Sequence, residues 1–306
     1  MPSRERRTFP LVPRRRRTGL PFGDLPGRRR GHGSEVISHR PYEPGDAVSA
    51  IDWSATARLS AVTGADAFVI RQKAADEAPR VVLVADRRPA MNLYPSTLPW
   101  FSKRQALTEA MLSIVTSAEA ARADVAALEF AGDEAWWLPP GRRERGWQVA
   151  ERDRSAPFEA PEDTLAQAFE FLGRRRANLP AGSFVFVLSD FLVAPSTETW
   201  LDALGHGWDV VPVILQDPLW ERSFPAVAGV TVPVVDPRDH STALVRLRRR
   251  QAMRLRDDNE QRYAELIDLL TSLGLEPVTI TSSDSADVDN AFAAWAEERR
   301  RLQWAR

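Results

Sequence analysis

Runs of almost unbroken aliphatic residues recur along this chain, each too short to be a helix: RVVLVAD (80–86), SFVFVLSD (183–190) and WDVVPVILQDP (208–218). A strand that is apolar on both faces belongs in a parallel sheet covered by helices on both sides. The segments between these runs carry the helical period. KRQALTEAMLSIVTSAEAAR (103–122) aligns Leu107, Met111, Ile114 and Val115 on one stripe. DTLAQAFEFLGRRR (163–176) and TETWLDALGHG (197–207) also read as helices, the second ending in a glycine suited to a C-cap. DVAALEFAG and EAWWLPPG, between 124 and 141, give two strands around a tight turn, hence one antiparallel edge. GVTVPVVDP and LEPVTITS add strands, and helices are expected at about 242–272 and 286–303. The order β-α-β-β-α-β-α-β, with more of each to follow, predicts an α/β fold with a doubly wound, mostly parallel sheet and one antiparallel edge strand. A small N-terminal segment precedes it, in which TGADAFVIRQKAADEA (63–78) alternates as a strand. The expected division is a basic, disordered arm at 1–32, a segment at 33–78 packing on the main domain, and the main α/β domain at 79–306.

What is missing narrows the chemistry. With no cysteine there is no disulfide, no thiolate zinc site and no cysteine nucleophile. No run of about 18 apolar residues is present to span a membrane. Residues 1–30 hold ten arginines against Glu5 and Asp24 without an apolar stretch behind them, so they do not read as a secretion signal, and a cytoplasmic location is expected. Pro10, Pro13, Pro21 and Pro26 interrupt this arm, and no aromatic pattern accompanies its charges, which argues against nucleic acid as its partner. The phosphate-cradling pattern GxxxxGK[ST] is absent, and GRRRGHG (27–33) follows no strand, so the chain is not expected to hydrolyse ATP itself. His32, His39, His206 and His240 have no metalloprotease spacing, and no serine sits in a GxSxG turn.

Doubly wound sheets bind ligands beyond the carboxyl ends of their strands, and Asp86 and Asp190 both sit there, directly after buried strands. In the N-terminal segment, YEPGDAVSAIDWSATAR (42–58) places a Pro44-Gly45 turn before Asp46, and Ile51 and Trp53 share one face if the chain is extended. On that reading Trp53 is a buried anchor, and Asp52 can pair with Arg58.

The element order, with an aspartate after the first strand, a threonine before a helix and a second aspartate after a later strand, resembles the von Willebrand factor type A domain. Tyr42, Pro44, Gly45, Asp46, Ile51, Asp52, Trp53, Ala57 and Arg58 resemble the hallmark of the bacterial DUF-58 family, over roughly residues 33–215. The resemblance to type A domains implies a divalent cation, magnesium or manganese, held through an Asp-x-Ser-x-Ser loop, a threonine and a distant aspartate. Carried onto this chain, the ligands are Asp86, Thr164 and Asp190, with Arg88 and Ala90 where the two serines stand. Ala90 has no ligand atom and Arg88 brings a permanent cation, so the site reads as degenerate and no cofactor is expected. Arg88 either turns inward between Asp86 and Asp190 or, as is commoner for arginine, points to water beside Arg87. Replacing Arg88 and Ala90 by serine would restore five ligands.

The family resemblance also implies a MoxR-type AAA+ ATPase as partner and a non-catalytic, chaperone-like adaptor role. Two alternatives stand beside it: a metal-dependent hydrolase or phosphotransferase using Asp86 and Asp190, and a nucleic-acid-binding module acting through the arginine arm.

Overall fold

The aliphatic runs form the centre of a six-stranded sheet in the computed structural model, which describes residues 6–14, 26–30, 36–42, 48, 51–63, 68–76, 79–92, 101–132, 134–235 and 241–304. The elements in chain order are β1 (Pro26–Arg30), β2 (Val36–Pro41), α1 (Trp53–Thr63), β3 (Val69–Asp76), β4 (Arg80–Ala85), α2 (Lys103–Ala120), β5 (Asp124–Phe130) and β6 (Ala135–Gly141). They continue with α3 (Arg145–Ser155), α4 (Thr164–Arg174), β7 (Phe184–Ser189), α5 (Thr197–Gly205), β8 (Asp209–Leu215), β9 (Thr231–Val235), β10 (Thr242–Arg246), α6 (Arg249–Ser272), β11 (Val278–Ile280) and α7 (Ser285–Trp304). The chain divides into two units, Met1–Arg14 with Arg80–Arg306, and Arg15–Pro79.

In the larger unit the strand order is β11-β8-β7-β4-β5-β6. All neighbours are parallel except β5 and β6. This is the doubly wound, mostly parallel sheet with one antiparallel edge strand that the sequence implies. Side chains alternate across the strands, so each central strand feeds two cores. On one face Val82, Val84, Val185 and Val187 meet Leu165, Phe169 and Leu172 of α4, Trp200 of α5 and Leu270 of α6. On the other, Phe186 lies against Phe292 and Trp295 of α7. The helix expected at 242–272 starts later than its composition suggested. The alternating Thr242–Arg246 pairs antiparallel with β9 instead, and the helix begins at Arg249. Helix α3 escaped the sequence reading because only Val149 and Asp153 are buried in it.

Residues 6–14 are not part of a disordered arm, which corrects the reading of 1–32. Phe9 and Val12 are buried, and Phe9 stacks on Phe292 at 4.8 Å between ring centroids with its edge toward Trp295. Its N–H donates to Ser117 Oγ at 3.1 Å. Arg6 pairs with Glu109, and the Arg14 N–H donates to Asp209 Oδ2 at 2.7 Å. The proline and arginine content suggested a solvated leader, but two apolar side chains and these long-range partners offset the entropy of ordering it. Within the remainder of 1–32, Pro26–Arg30 forms β1.

In the smaller unit β3 is flanked by β1 and β2, both antiparallel to it. Here the extended reading of Ile51 and Trp53 fails. Asp52 Oδ1 accepts the N–H groups of Ser54 and Ala55 at 3.1 and 3.0 Å, which starts α1 at Trp53. Once the chain turns helical, residues two apart diverge. Ile51 is buried and bridges Ile70, while Trp53 is 60% exposed with its ring edge-on to Phe68. Asp52 thus caps the helix, and Arg58 donates to the Ser54 carbonyl rather than pairing with it. The anchors are Ile51 and Thr56, whose hydroxyl accepts the Val69 N–H at 3.0 Å. Tyr42 binds the Phe68 carbonyl through its N–H at 2.9 Å. Pro44, Gly45 and Asp46 lie outside the described residues.

Phe9→Ala is expected to cost about 3–5 kcal/mol, because a fully packed aromatic ring leaves a cavity that its neighbours only partly fill. Urea unfolding measures this as a lower midpoint at unchanged slope. A variant as stable as the wild type would mean that the segment adds nothing to the core.

Candidate functional site

Parallel strands bring the charged groups to one end of the sheet. Asp86 follows β4 and Asp190 follows the adjacent β7, and both are buried. The Asp86 N–H donates to the Leu188 carbonyl at 3.0 Å, carrying the ladder one residue beyond the strands. Asp86 Oδ1 then accepts the Arg88 N–H at 2.9 Å, an aspartate turn that brings the chain back over the carboxylate.

Arg88 therefore faces inward. Its Nε lies 3.1 and 3.0 Å from the two Asp86 oxygens. Its Nη2 donates to Asp86 Oδ2 at 2.6 Å, Ser189 Oγ at 3.1 Å and Asp190 Oδ1 at 3.3 Å, and Nη1 donates to the Val193 carbonyl at 3.2 Å. Arginine prefers the surface in general, but a fork of donors that meets two buried carboxylates, a hydroxyl and a carbonyl is satisfied without water. Arg87 is buried as well, in a separate network. Its Nε lies 2.7 Å from Glu129 Oε2 and its Nη2 lies 2.8 Å from Asp153 Oδ1, with the guanidinium 5.0 Å from the centre of the Phe158 ring. Neither arginine is the surface group that composition suggested.

A second cation enters from the opposite side. Ser102 caps α2 by accepting the Gln105 N–H at 3.3 Å, which sets Lys103 on the first turn. Its Nζ lies 2.9 Å from Asp190 Oδ2 and 2.7 Å from Glu221 Oε1. Glu221 Oε2 in turn accepts the Asp217 N–H at 2.9 Å, tying in the loop after β8. The sequence reading missed both Lys103 and Glu221. Two signals were available: Lys103 is one of only two lysines in an arginine-rich chain, and Asp217 repeats the pattern of an aspartate after a buried strand.

The electrostatics follow from this packing. Burial alone pulls the Arg88 and Lys103 pKa values down, but the carboxylates outweigh it and both are raised. For Asp190 burial pushes upward, yet the charges of Lys103 and Arg88 hold it below the ordinary carboxylate value. Glu221 goes the other way, because burial together with the charge of Asp190 exceeds the pull of Lys103.

These residues do not fit a divalent ion. Such an ion takes about six oxygens at close range. Both Asp86 oxygens accept from Arg88, and those of Asp190 accept from Arg88 and Lys103. Two fixed cations at hydrogen-bonding distance oppose a third. Ala90 sits in a short 3₁₀ turn, Pro89–Asn92, and has no ligand atom. Thr164 opens α4 and is buried, but among the described residues its hydroxyl makes no hydrogen bond to Asp86, Arg88 or Asp190. Serines at 88 and 90 would not suffice to restore the ligand set, since Lys103 would still hold Asp190. Among the described residues, no group of three or more His, Asp or Glu side chains is placed to hold a metal, and no helix is long and apolar enough to cross a membrane.

A family model described as protein of unknown function DUF58 matches residues 38–265. No curated protein matches the chain. Solved structures similar to it include conserved hypothetical protein BatB from Bacteroides thetaiotaomicron, with 16% identity and a TM-score of 0.44, covering 73% of this chain and 100% of that one. An aerotolerance-related membrane protein from Bacteroides fragilis, solved with multiple mutations to serines, has 15% identity and a TM-score of 0.44, covering 72% and 100%. The VWA domain of SpRpn10 has 12% identity and a TM-score of 0.31, covering 45% and 76%.

Lys103→Met tests the cluster. Removing one partner from a buried ion pair costs about 3–5 kcal/mol, because the carboxylates left behind are buried and uncompensated. In the wild type Asp190 is lowered, so its contribution is present above the ordinary value of 3.8 and is lost as pH falls through the lower folded value. Glu221 is raised, so its contribution is complete below 4.5 and is lost as pH rises through its folded value. Without Lys103 Glu221 loses its counter-charge and Asp190 keeps only Arg88, so both carboxylates shift upward from their wild-type values. The stability gap between variant and wild type, measured by denaturant unfolding, should therefore be widest near neutral pH and narrow toward pH 4. A gap independent of pH would contradict the assigned pairing.

Proposed function

The chain belongs to the DUF58 family, and from that premise we propose that it is a non-catalytic scaffold or adaptor, acting in the cytoplasm with a MoxR-type AAA+ ATPase in chaperone-like assembly or maturation of other proteins. The observation that carries this reading is the closed charge cluster. At the sheet end where a type A-like domain would hold an ion for its ligand, Asp86 and Asp190 are committed to Arg88 and Lys103. All four side chains are almost fully buried, so they hold the domain together and present no reactive group to solvent. On this reading the domain works through its surface.

The hydrolase alternative needs these same two carboxylates as metal ligands, and their hydrogen-bonding capacity is already taken up. The arginine-arm alternative loses part of its charge to internal partners, since Arg6 pairs with Glu109 and Arg14 donates through Nη2 to the Leu273 carbonyl at 3.2 Å.

Affinity purification of the full chain from its native host, with and without ATP analogues, tests the proposal. An AAA+ ATPase should co-purify, in an amount that changes with the nucleotide. Recovery of no such ATPase in any nucleotide state would count against the adaptor reading.

A further inference from the structure

The segment STALVRLRRRQAMRLR, 241–256, carries six arginines and no carboxylate. It forms β10 and the first two turns of α6. Buried Leu247 and Ala252 fix it to the larger unit, while every residue of β10 is exposed. Leu244 is 74% and Met253 56% exposed, and Leu255, Arg248, Arg249, Arg250 and Arg254 are exposed beside them. The surface is thus basic and apolar at once.

The ribbon is also incomplete as a sheet. Among the described residues β9 and β10 pair only with each other, and a two-stranded ribbon is marginal by itself in water. Pro233, opposite Leu244 in the register, has no N–H, and a proline blunts the β9 edge against further pairing. The outer edge of β10 is the one that another strand can join.

We propose that this edge docks an acidic, extended segment of a protein partner, which adds as a strand beside β10 while its carboxylates meet the arginines around it. Strand addition supplies affinity through main-chain hydrogen bonds, and the charges supply specificity. A second copy pairing through its own 241–256 is excluded because it would set the same six arginines against each other. Nucleic acid fits poorly, since 241–256 has no aromatic residue for bases to stack on and leaves its aliphatic groups unused. A bilayer fits poorly too, because an open strand edge cannot satisfy its N–H and C=O groups in lipid. The inference rests on reading the chain as an interaction module and says where one partner binds.

The test is fluorescence anisotropy on the full chain with a labelled short peptide that alternates glutamate with valine. Controls are the same peptide with lysine for glutamate, a short DNA duplex, and vesicles containing phosphatidylserine. The glutamate peptide should bind saturably and weaken as salt rises, and the lysine peptide should not bind. The triple change Arg249→Glu, Arg250→Glu, Arg254→Glu should weaken binding at least about tenfold. Leu244→Pro, which keeps every charge but closes the edge, should do the same. Melting temperatures show which variants are folded, and either variant alone decides. No saturable binding of the glutamate peptide, undiminished binding by a folded variant, or binding of the duplex or vesicles but not the peptide would overturn the proposal. Nucleotide-dependent co-purification of an ATPase is scored separately. If it persists while the peptide fails, this surface is wrong and the adaptor reading stands.

Discussion

Two carboxylates at the ends of adjacent strands, both out of water, set the problem that this end of the sheet is arranged to solve. Each alone would lose its hydration at a cost of several kcal/mol, and together they repel. Arg88 and Lys103 offset this from two sides, and the partners they require fix the surroundings. Lys103 ties the first turn of α2 to Asp190, and Glu221 ties in the loop after β8. Beyond Asp190 the chain passes through Phe191 with φ at 50°, a left-handed conformation that costs a non-glycine residue about 1–3 kcal/mol. Its N–H donates to Ser189 Oγ at 2.9 Å and its ring packs near Trp200, so the cluster and the core together hold it there.

A tethered guanidinium differs from a bound ion in what it responds to. An ion stabilises by mass action and leaves when its concentration falls. Arg88 is present whenever the chain is folded, and its pKa is raised further from any physiological pH. A site built this way is expected to keep one geometry with or without divalent cations. That is consistent with a scaffold whose interactions are made by surface elements, among which the arginine-rich ribbon is set apart by its charge and its open edge.

Much of this was legible in the residues. Strands buried on both faces announce themselves by composition, so β4, β7 and β8 were placed in the sequence, as was the antiparallel edge formed by β6. Asp86 and Asp190 could be put at one end of the sheet because parallel strands share a direction. Pairing was not legible. Whether Arg88 turns in or out depends on a turn closed by Asp86 Oδ1 and on acceptors from β7, about a hundred residues away in sequence. Lys103 was read only as the first residue of an amphipathic helix. Trp53 was misplaced because one capping aspartate changes an extended segment into a helix and reverses which side chains share a face. Phe9 was missed because a short apolar anchor is invisible inside an arginine- and proline-rich stretch.

The measurement that bears most directly on the tethered-cation account is the melting temperature of the wild-type protein with and without millimolar magnesium or manganese. With Asp86 and Asp190 engaged by Arg88 and Lys103, neither ion should move it. A clear magnesium-dependent rise that Asp190→Ala abolishes would contradict the account, because it would mean that the ion competes successfully for the carboxylates the two side chains hold.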